Sequence, residues 1–235
     1  MPINLYCFVT LLAAWLSFGS SLASEPGPLK IPPRDPNARP ELIDLSTNYN
    51  ASLDESWHPS GRPGNDLSAL PHGLQKLDGI ELDVRGAVQV SGSGTGNARG
   101  PYPKAVHIRI GMCCREPQLL HGSAFSEEDG IQIGAYVVRY ADGKQEEIPI
   151  IYGQDVRDWW AYPQESQQTP RATVAWKGHN GATRAWGWGV SVQLFRVPWK
   201  NPRPDSIIDS IDLIARPVDA LPFLLAITAE PVARQ

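Results

Sequence analysis

Alternation of apolar and polar side chains is the clearest pattern in the chain. In residues 80–91 the even positions are mostly apolar and the odd positions mostly polar. Successive side chains of a strand point to opposite faces, so this pattern predicts a strand with one buried and one solvent-exposed face. The expected buried set is Ile80, Leu82, Val84, Val88 and Val90, and the expected exposed set is Glu81, Asp83, Arg85, Gln89 and Ser91.

Residues 105–110 repeat the alternation, with His107 and Arg109 directed outward. Residues 134–140 and 146–152 flank Ala141-Asp142-Gly143-Lys144, where Asp-Gly favours the positive backbone dihedrals of a tight hairpin turn. Pro149 has no amide donor, which places the second arm at a sheet edge or a bulge.

Short apolar stretches separated by Gly, Pro, Asn and Asp predict the remaining strands, and no long window carries a helical stripe. About ten strands favour an all-β domain over residues 41–231, a two-sheet antiparallel β-sandwich or jelly roll. These further strands are expected at residues 42–48, 119–125, 171–176, 190–197, 207–214 and 223–229.

The first 23 residues predict a cleaved signal peptide. An apolar run over residues 5–18 is followed by small residues, with Ser21 and Ala23 before the expected cut. The run is too short for a spanning helix and no second one follows, so we expect export to the periplasm or the cell exterior. No lysine or arginine precedes the run, which leaves an uncleaved anchor open.

The segments flanking the domain are predicted from composition. Residues 24–40 contain six prolines, which favours an extended linker, and residues 232–235 form a short tail. The net charge of −4 gives no general attraction for nucleic acid. Cys113 and Cys114 are neighbours that cannot staple distant loops, so we expect a buried unreactive pair, with a strained bridge or half of a metal site as alternatives.

Residues 152–162 hold the densest group of side chains suited to recognition. Indole faces can cover the apolar face of a sugar ring, while carboxylate and guanidinium groups hydrogen-bond to its hydroxyls. Two glycines near Trp186 and Trp188 can hold those rings in exposed loops. The alternative is that Trp159 and Trp160 cap the open end of the sandwich and Arg157 pairs with Asp155 or Asp158. The candidate ligand-binding residues are Asp155, Arg157, Asp158, Trp159, Trp160, Tyr162, Trp186 and Trp188.

Eight short segments occur in a characteristic order along the chain. They are NDLS (65–68), LDVRG (82–86), GAYVVRYADG (134–143), IPIIYG (148–153), DVRDWW (155–160), NPRPD (201–205), SID (210–212) and PFLLAIT (222–228). Together they resemble a bacterial galactose-binding-like module. That resemblance covers most of residues 41–230 and implies a jelly-roll sandwich of secreted or envelope proteins, often attached to another domain. It implies no catalytic residues, so none are assigned.

The sequence gives weaker support for a metal site or a catalytic histidine. The long early loop carries oxygen ligands that suit a structural calcium ion, at Asp54, Glu55, Asn65 and Asp66, but it lacks the spacing of a calcium-binding loop. No other cofactor is expected. His121 lies within an apolar strand and is expected to be a hydrogen-bonded core histidine rather than a general base.

The sequence therefore favours an exported, non-enzymatic module that binds a carbohydrate or another envelope polymer. Two alternatives stay open. One is a glycan-directed hydrolase whose acidic pair comes from different loops, although no hydrolase motif is present. The other is a scaffold that docks another envelope protein, with the proline-rich linker giving reach.

Overall fold

The computed structural model describes residues 29–57, 63–91 and 102–231. The predicted signal peptide, the start of the predicted linker, most of the loop at 91–104 and the predicted tail at 232–235 lie outside these residues. In the described ranges, none of the helical segments has the length and apolar character needed to cross a bilayer.

The described chain is an all-β domain whose named strands all pair antiparallel. The elements are β1 (Gly73–Leu77), β2 (Ile80–Val84), β3 (Val88–Gln89), β4 (Ala105–Cys113), β5 (Glu116–Ala124), β6 (Gln132–Tyr140), β7 (Gln145–Ile151), β8 (Trp160–Ala161), β9 (Thr173–Gly178), α1 (Gly181–Trp186), β10 (Ser191–Pro198), β11 (Ile207–Ala215) and β12 (Leu221–Glu230).

A four-stranded sheet has the order β4-β11-β6-β7. It confirms the predicted hairpin, because β6 pairs with β7 across the turn at Gly143, whose φ is 83°. Pro149 lies in β7 at the edge of this sheet. A residue without an amide hydrogen is tolerated there, because one side of an edge strand has no neighbouring strand to bond. His107 and Arg109 face outward from β4, as predicted.

A six-stranded sheet packs on the four-stranded one. Its order is β3-β12-β5-β10-β8. The sixth strand, β9, also pairs with β10. Apolar residues of both sheets meet in one core, which includes Leu119, Phe195 and Ile227 from the larger sheet and Tyr136 and Ile211 from the smaller. This packing confirms an antiparallel, sandwich-like all-β fold.

The larger sheet is also covered on its opposite face. The β1–β2 hairpin, the loop before it and α1 form this cover, and a second core lies beneath them. Its members include Trp57 and Leu70 from the cover and Leu194, Phe223 and Leu225 from the sheet. The domain therefore has a third layer that a two-sheet sandwich lacks.

The third layer corrects the prediction for residues 80–91. The expected exposed positions Asp83, Arg85 and Gln89 are each only 2% exposed, because both faces of this segment are covered. The segment is also divided into β2 and β3 around Gly86. A Cβ atom at Gly86 would lie 2.7 Å from Tyr49 Cγ, so a side chain does not fit at the break.

The strand predicted at residues 42–48 is wrong. Leu42 makes a single bridge to Thr228, and the chain then turns. Asp44 Oδ1 accepts from the backbone nitrogen of Ser46 at 3.0 Å, and the amide of Tyr49 donates to the carbonyl of Leu45 at 3.0 Å. These local bonds compete with strand pairing.

The described part of the proline-rich segment is fixed to the domain rather than extended into solvent. Arg34 Nη1 donates to Asp83 Oδ2 at 2.9 Å, and Arg85 Nη1 donates to the carbonyl of Pro32 at 3.2 Å. Ile31 packs against the main core. The described residues 29–40 of the predicted extended linker therefore contact the domain.

Helix α1 was not predicted, because six residues are too few to show a helical period. Its start is set by a capping box. Asn180 Oδ1 accepts from the backbone nitrogen of Thr183 at 2.8 Å, and Thr183 Oγ1 accepts from the backbone nitrogen of Asn180 at 3.1 Å. The box fixes where the helix starts and, with it, the loop that follows Trp186.

Candidate functional site

Trp159 is part of the second core. Its side chain is 3% exposed and stacks on Trp57 with ring centroids 5.3 Å apart. Phe223 meets the same ring edge-on at 6.1 Å. Both faces of the indole are therefore remote from solvent, and the role of a stacking platform for a sugar is corrected for this residue.

Trp160 is 7% exposed and joins the loop to the covering layer. Its Nε1 donates to Asn65 Oδ1 at 2.9 Å. The rings of Tyr162 and Trp186 each lie 6.2 Å from the Trp160 ring. The structure thus brings three of the candidate residues together, with the buried Trp160 supporting a half-buried tyrosine and an exposed tryptophan.

Asp155 and Arg157 form internal contacts away from these three rings. Asp155 is 4% exposed and accepts from the backbone nitrogen of Ile151 at 2.7 Å and from Arg171. The guanidinium of Arg157 donates to both carboxylate oxygens of Asp129, at 2.9 and 2.7 Å. Their hydrogen-bonding groups are thus engaged with residues of the domain itself and hold the loop in place.

Asp158 lies at the inner side of the loop. Its Oδ1 accepts from the backbone nitrogen of Trp160 at 3.0 Å, and Ser126 Oγ donates to Oδ2 at 3.4 Å. Burial raises the pKa of the Asp158 carboxyl group to about 7, and the charge on Glu165 contributes in the same direction. Near neutral pH this carboxyl group is therefore partly protonated.

Trp188 is the most exposed large apolar side chain in the described residues, at 88%. Its φ is 58°, a left-handed conformation that costs a side-chain-bearing residue about 1–2 kcal/mol. Gly187 and Gly189 on either side have φ of 73° and 71°. A strained, exposed tryptophan between two glycines points to function, because neither packing nor local preference explains it.

A shallow pocket of about 380 Å³ adjoins this loop. The ring of His179 is oriented by a 3.0 Å bond between Nδ1 and the carbonyl of Val190. A carbonyl only accepts, so Nδ1 carries the proton and Nε2 is the remaining polar atom of the ring. The pocket is lined by His179, Thr183, Arg184, Gly187, Gly189 and Val190.

Sequence reasoning placed Trp186 and Trp188 in the candidate site but missed His179 and Arg184. His179 precedes the N-cap of the short helix, and Arg184 lies in its last turn. The Asn180 and Thr183 spacing was the available signal, because it matches an N-cap and its N3 partner.

Two of the four candidate calcium ligands, Asn65 and Asp66, make hydrogen bonds within the fold. Asn65 bonds Trp160 and the carbonyl of Trp57, and Asp66 accepts from Ser68. Across the described ranges, no group of three or more His, Cys, Asp or Glu side chains is arranged to hold a metal ion. His121 is 1% exposed and both ring nitrogens are bonded, to Tyr136 and to the carbonyl of Asp155, as expected for a core histidine.

Cys113 and Cys114, the cysteines of the described residues, are unbridged. Cys114 is fully buried, and burial raises the pKa of its thiol to about 12, while Cys113 is partly exposed. A protonated, buried thiol is a poor nucleophile, which agrees with the expected unreactive role for Cys114.

Comparison with known proteins gives no family assignment. No protein-family model matches the chain, and no curated protein matches its sequence.

Proposed function

We propose that this protein is an exported, non-enzymatic binding module of the galactose-binding-like type, and that its ligand is a carbohydrate of the cell envelope or its surroundings. The exposed, left-handed Trp188 is the observation that carries the proposal. An indole presented this way can stack on the apolar face of a sugar ring. The strain in its backbone is explained if the exposed ring is the functional element.

The surroundings of Trp188 support recognition of a ring-sized unit. Trp186 is 45% exposed and its inner side meets Trp160, so its position is fixed by the core. The pocket beside the loop offers the Arg184 and His179 side chains as polar partners. Aromatic stacking with a few directed polar groups is the usual composition of a small-molecule site.

A pull-down of the full chain on insoluble polymers tests the proposal. The probes are cellulose, chitin, peptidoglycan sacculi and cross-linked polygalacturonate. We expect retention on at least one of them, and at least a tenfold loss of affinity in Trp188→Ala, which corresponds to about 1.4 kcal/mol. Val174→Ala is the matched control, because Val174 is an exposed apolar residue on β9.

Two results would count against the proposal. One is absence of retention on every probe by a chain whose unfolding transition shows that it is folded. The other is equal retention of the wild type and Trp188→Ala, which would show that the exposed indole takes no part.

A glycan-directed hydrolase is the second candidate, and Asp158 is the observation that favours it. A carboxylic acid with a pKa near 7 suits a general acid, and Glu165 supplies a second carboxylate nearby. Release of reducing ends from a retained polymer, lost in Asp158→Asn, would establish this activity. Retention without release favours the binding module.

A further inference from the structure

We propose that the ligand of the Trp188 loop is an acidic polysaccharide, whose carboxylate or other anionic groups are bound by Arg184 beside the stacked ring. This inference rests on the proposed carbohydrate-binding function and specifies the chemical class of the ligand. It is carried by the charge distribution around the loop, by the lack of counter-ions there and by the shape of the pocket.

The charge distribution is uneven along the chain. The protein carries a net charge of −4, yet residues 166–204 contain no Asp or Glu and six Lys or Arg. This segment includes β9, α1, the Trp188 loop and β10. The Trp188 loop therefore belongs to a stretch of the chain without acidic residues, and cations on this stretch that lack an internal partner can attract anions.

Three of those six cations already have partners. Arg171, Arg196 and Arg203 pair with Asp155, Asp78 and Asp142 respectively. Arg184 and Lys177 are exposed and form no ion pair with a carboxylate of the described residues. These two bracket His179 in sequence, and Arg184 lines the pocket itself.

The pocket favours a polymer of discrete sugar units over a membrane surface. It is shallow, and His179 and Arg184 place polar side chains along it. Insertion into a bilayer would require a wider apolar face. Among the described residues at this loop, the exposed large apolar side chains are Trp186 and Trp188. A planar guanidinium can bind a carboxylate with two parallel hydrogen bonds, which fixes the orientation of the sugar.

Paired probes that differ in charge test the inference. The full chain is titrated with polygalacturonate and with its methyl-esterified form, which keeps the sugar rings and removes the charges. We expect binding to the acidic polymer at least tenfold tighter than to the ester, and weaker binding as salt rises from 50 to about 300 mM because the attraction is screened.

Substitutions locate the interaction. Arg184→Gln should lower affinity for polygalacturonate about tenfold while leaving affinity for the ester unchanged. Lys144→Gln is the matched control, because Lys144 is an exposed cation in the β6–β7 turn on the other sheet. Trp188→Ala should weaken binding to both polymers.

The outcomes separate this inference from the proposed function. Equal binding to both polymers, lost in Trp188→Ala, would overturn the acidic-ligand inference and keep the binding function. Binding that Lys144→Gln weakens as much as Arg184→Gln would overturn it too, as a general charge effect. Failure to bind either polymer, together with Trp188-dependent binding to vesicles of phosphatidylcholine and phosphatidylglycerol, would replace the polysaccharide with a lipid surface.

Discussion

Trp159 stacks on Trp57 with ring centroids 5.3 Å apart and an angle of 25° between the planes. This contact joins the loop after β7 to the layer that covers the six-stranded sheet, and it lies in the second core. The two rings therefore hold two layers of the domain together.

Trp159→Ala is expected to lower the free energy of unfolding by about 3–5 kcal/mol, because removal of a buried aromatic leaves a cavity. Urea denaturation followed by circular dichroism measures the change. Trp188→Ala is the control and should stay within about 0.5 kcal/mol of the wild type, since its ring is exposed. Similar stability of Trp159→Ala and wild type would contradict the buried stack.

The left-handed backbone of Trp188 predicts an unusual response to glycine. Trp188→Gly should be more stable than Trp188→Ala by about 1 kcal/mol, because glycine adopts a positive φ without the steric cost of a Cβ. Ala185→Gly, on the exposed side of α1, should show the opposite sign, with a loss of about 1 kcal/mol. If glycine destabilises both positions alike, the backbone at Trp188 is not left-handed in solution.

The sequence predicted the strands whose patterns are local. The β6–β7 hairpin was found because Asp142-Gly143 marks its turn, and β4 was found because His107 and Arg109 alternate with apolar residues. These features depend on residues within about ten positions of one another. Antiparallel strands joined by a tight turn therefore need no knowledge of distant contacts.

The third layer could not be predicted in the same way. Asp83 and Arg85 look like solvent-facing residues of an alternating strand, and only the packing of distant segments shows that they are buried. The same holds for Trp159, whose partner Trp57 is about a hundred residues away. Arg157 pairs with Asp129 on another loop, whereas sequence reasoning considered only its neighbours Asp155 and Asp158.

The pKa of Asp158 predicts how stability changes with pH. The folded-state pKa of about 7 lies above the ordinary aspartate value of 3.8, so the folded protein holds this proton more tightly than the unfolded chain. The contribution of this group to stability is therefore present below pH 4 and is lost as the pH rises towards 7. Asp158→Asn removes that loss and can still accept the hydrogen bond from Trp160.

Thermal melts between pH 4 and pH 8 measure the effect. The melting temperature of Asp158→Asn should be close to that of the wild type at pH 4, should exceed it increasingly up to about pH 7, and the difference should level off above that pH. Glu165→Gln should give a smaller shift in the same direction, since its charge is a secondary cause of the raised pKa. Parallel pH profiles for Asp158→Asn and the wild type would contradict the desolvated carboxyl group.

The buried pair of Asp83 and Arg85 predicts a large cost for breaking it. Asp83 Oδ1 lies 2.9 Å from Arg85 Nε, and both side chains are 2% exposed. Asp83→Ala should lower the free energy of unfolding by about 3–5 kcal/mol, because it leaves a buried guanidinium short of a partner. Glu81→Ala is the control, since its pair with Arg39 is 42% and 58% exposed and should contribute less than about 1 kcal/mol.

Limited proteolysis gives a second readout for Asp83. Its other oxygen pairs with Arg34, so the segment around Pro32 should be cut faster in Asp83→Ala than in Glu81→Ala. Equal cleavage rates would show that Arg34 does not fasten this segment.

The position of β12 has a consequence for how the chain acquires its fold. This strand covers residues 221–230, yet it lies between β3 and β5 and also receives Leu42 through the bridge to Thr228. When the residues up to about 200 have left the ribosome, β3 and β5 have been synthesised. The strand that joins them, β12, has not. Contacts between such distant parts of a chain form slowly, so the larger sheet cannot be completed until residues 221–230 have been synthesised. Until then β3 and β5 lack the strand that joins them.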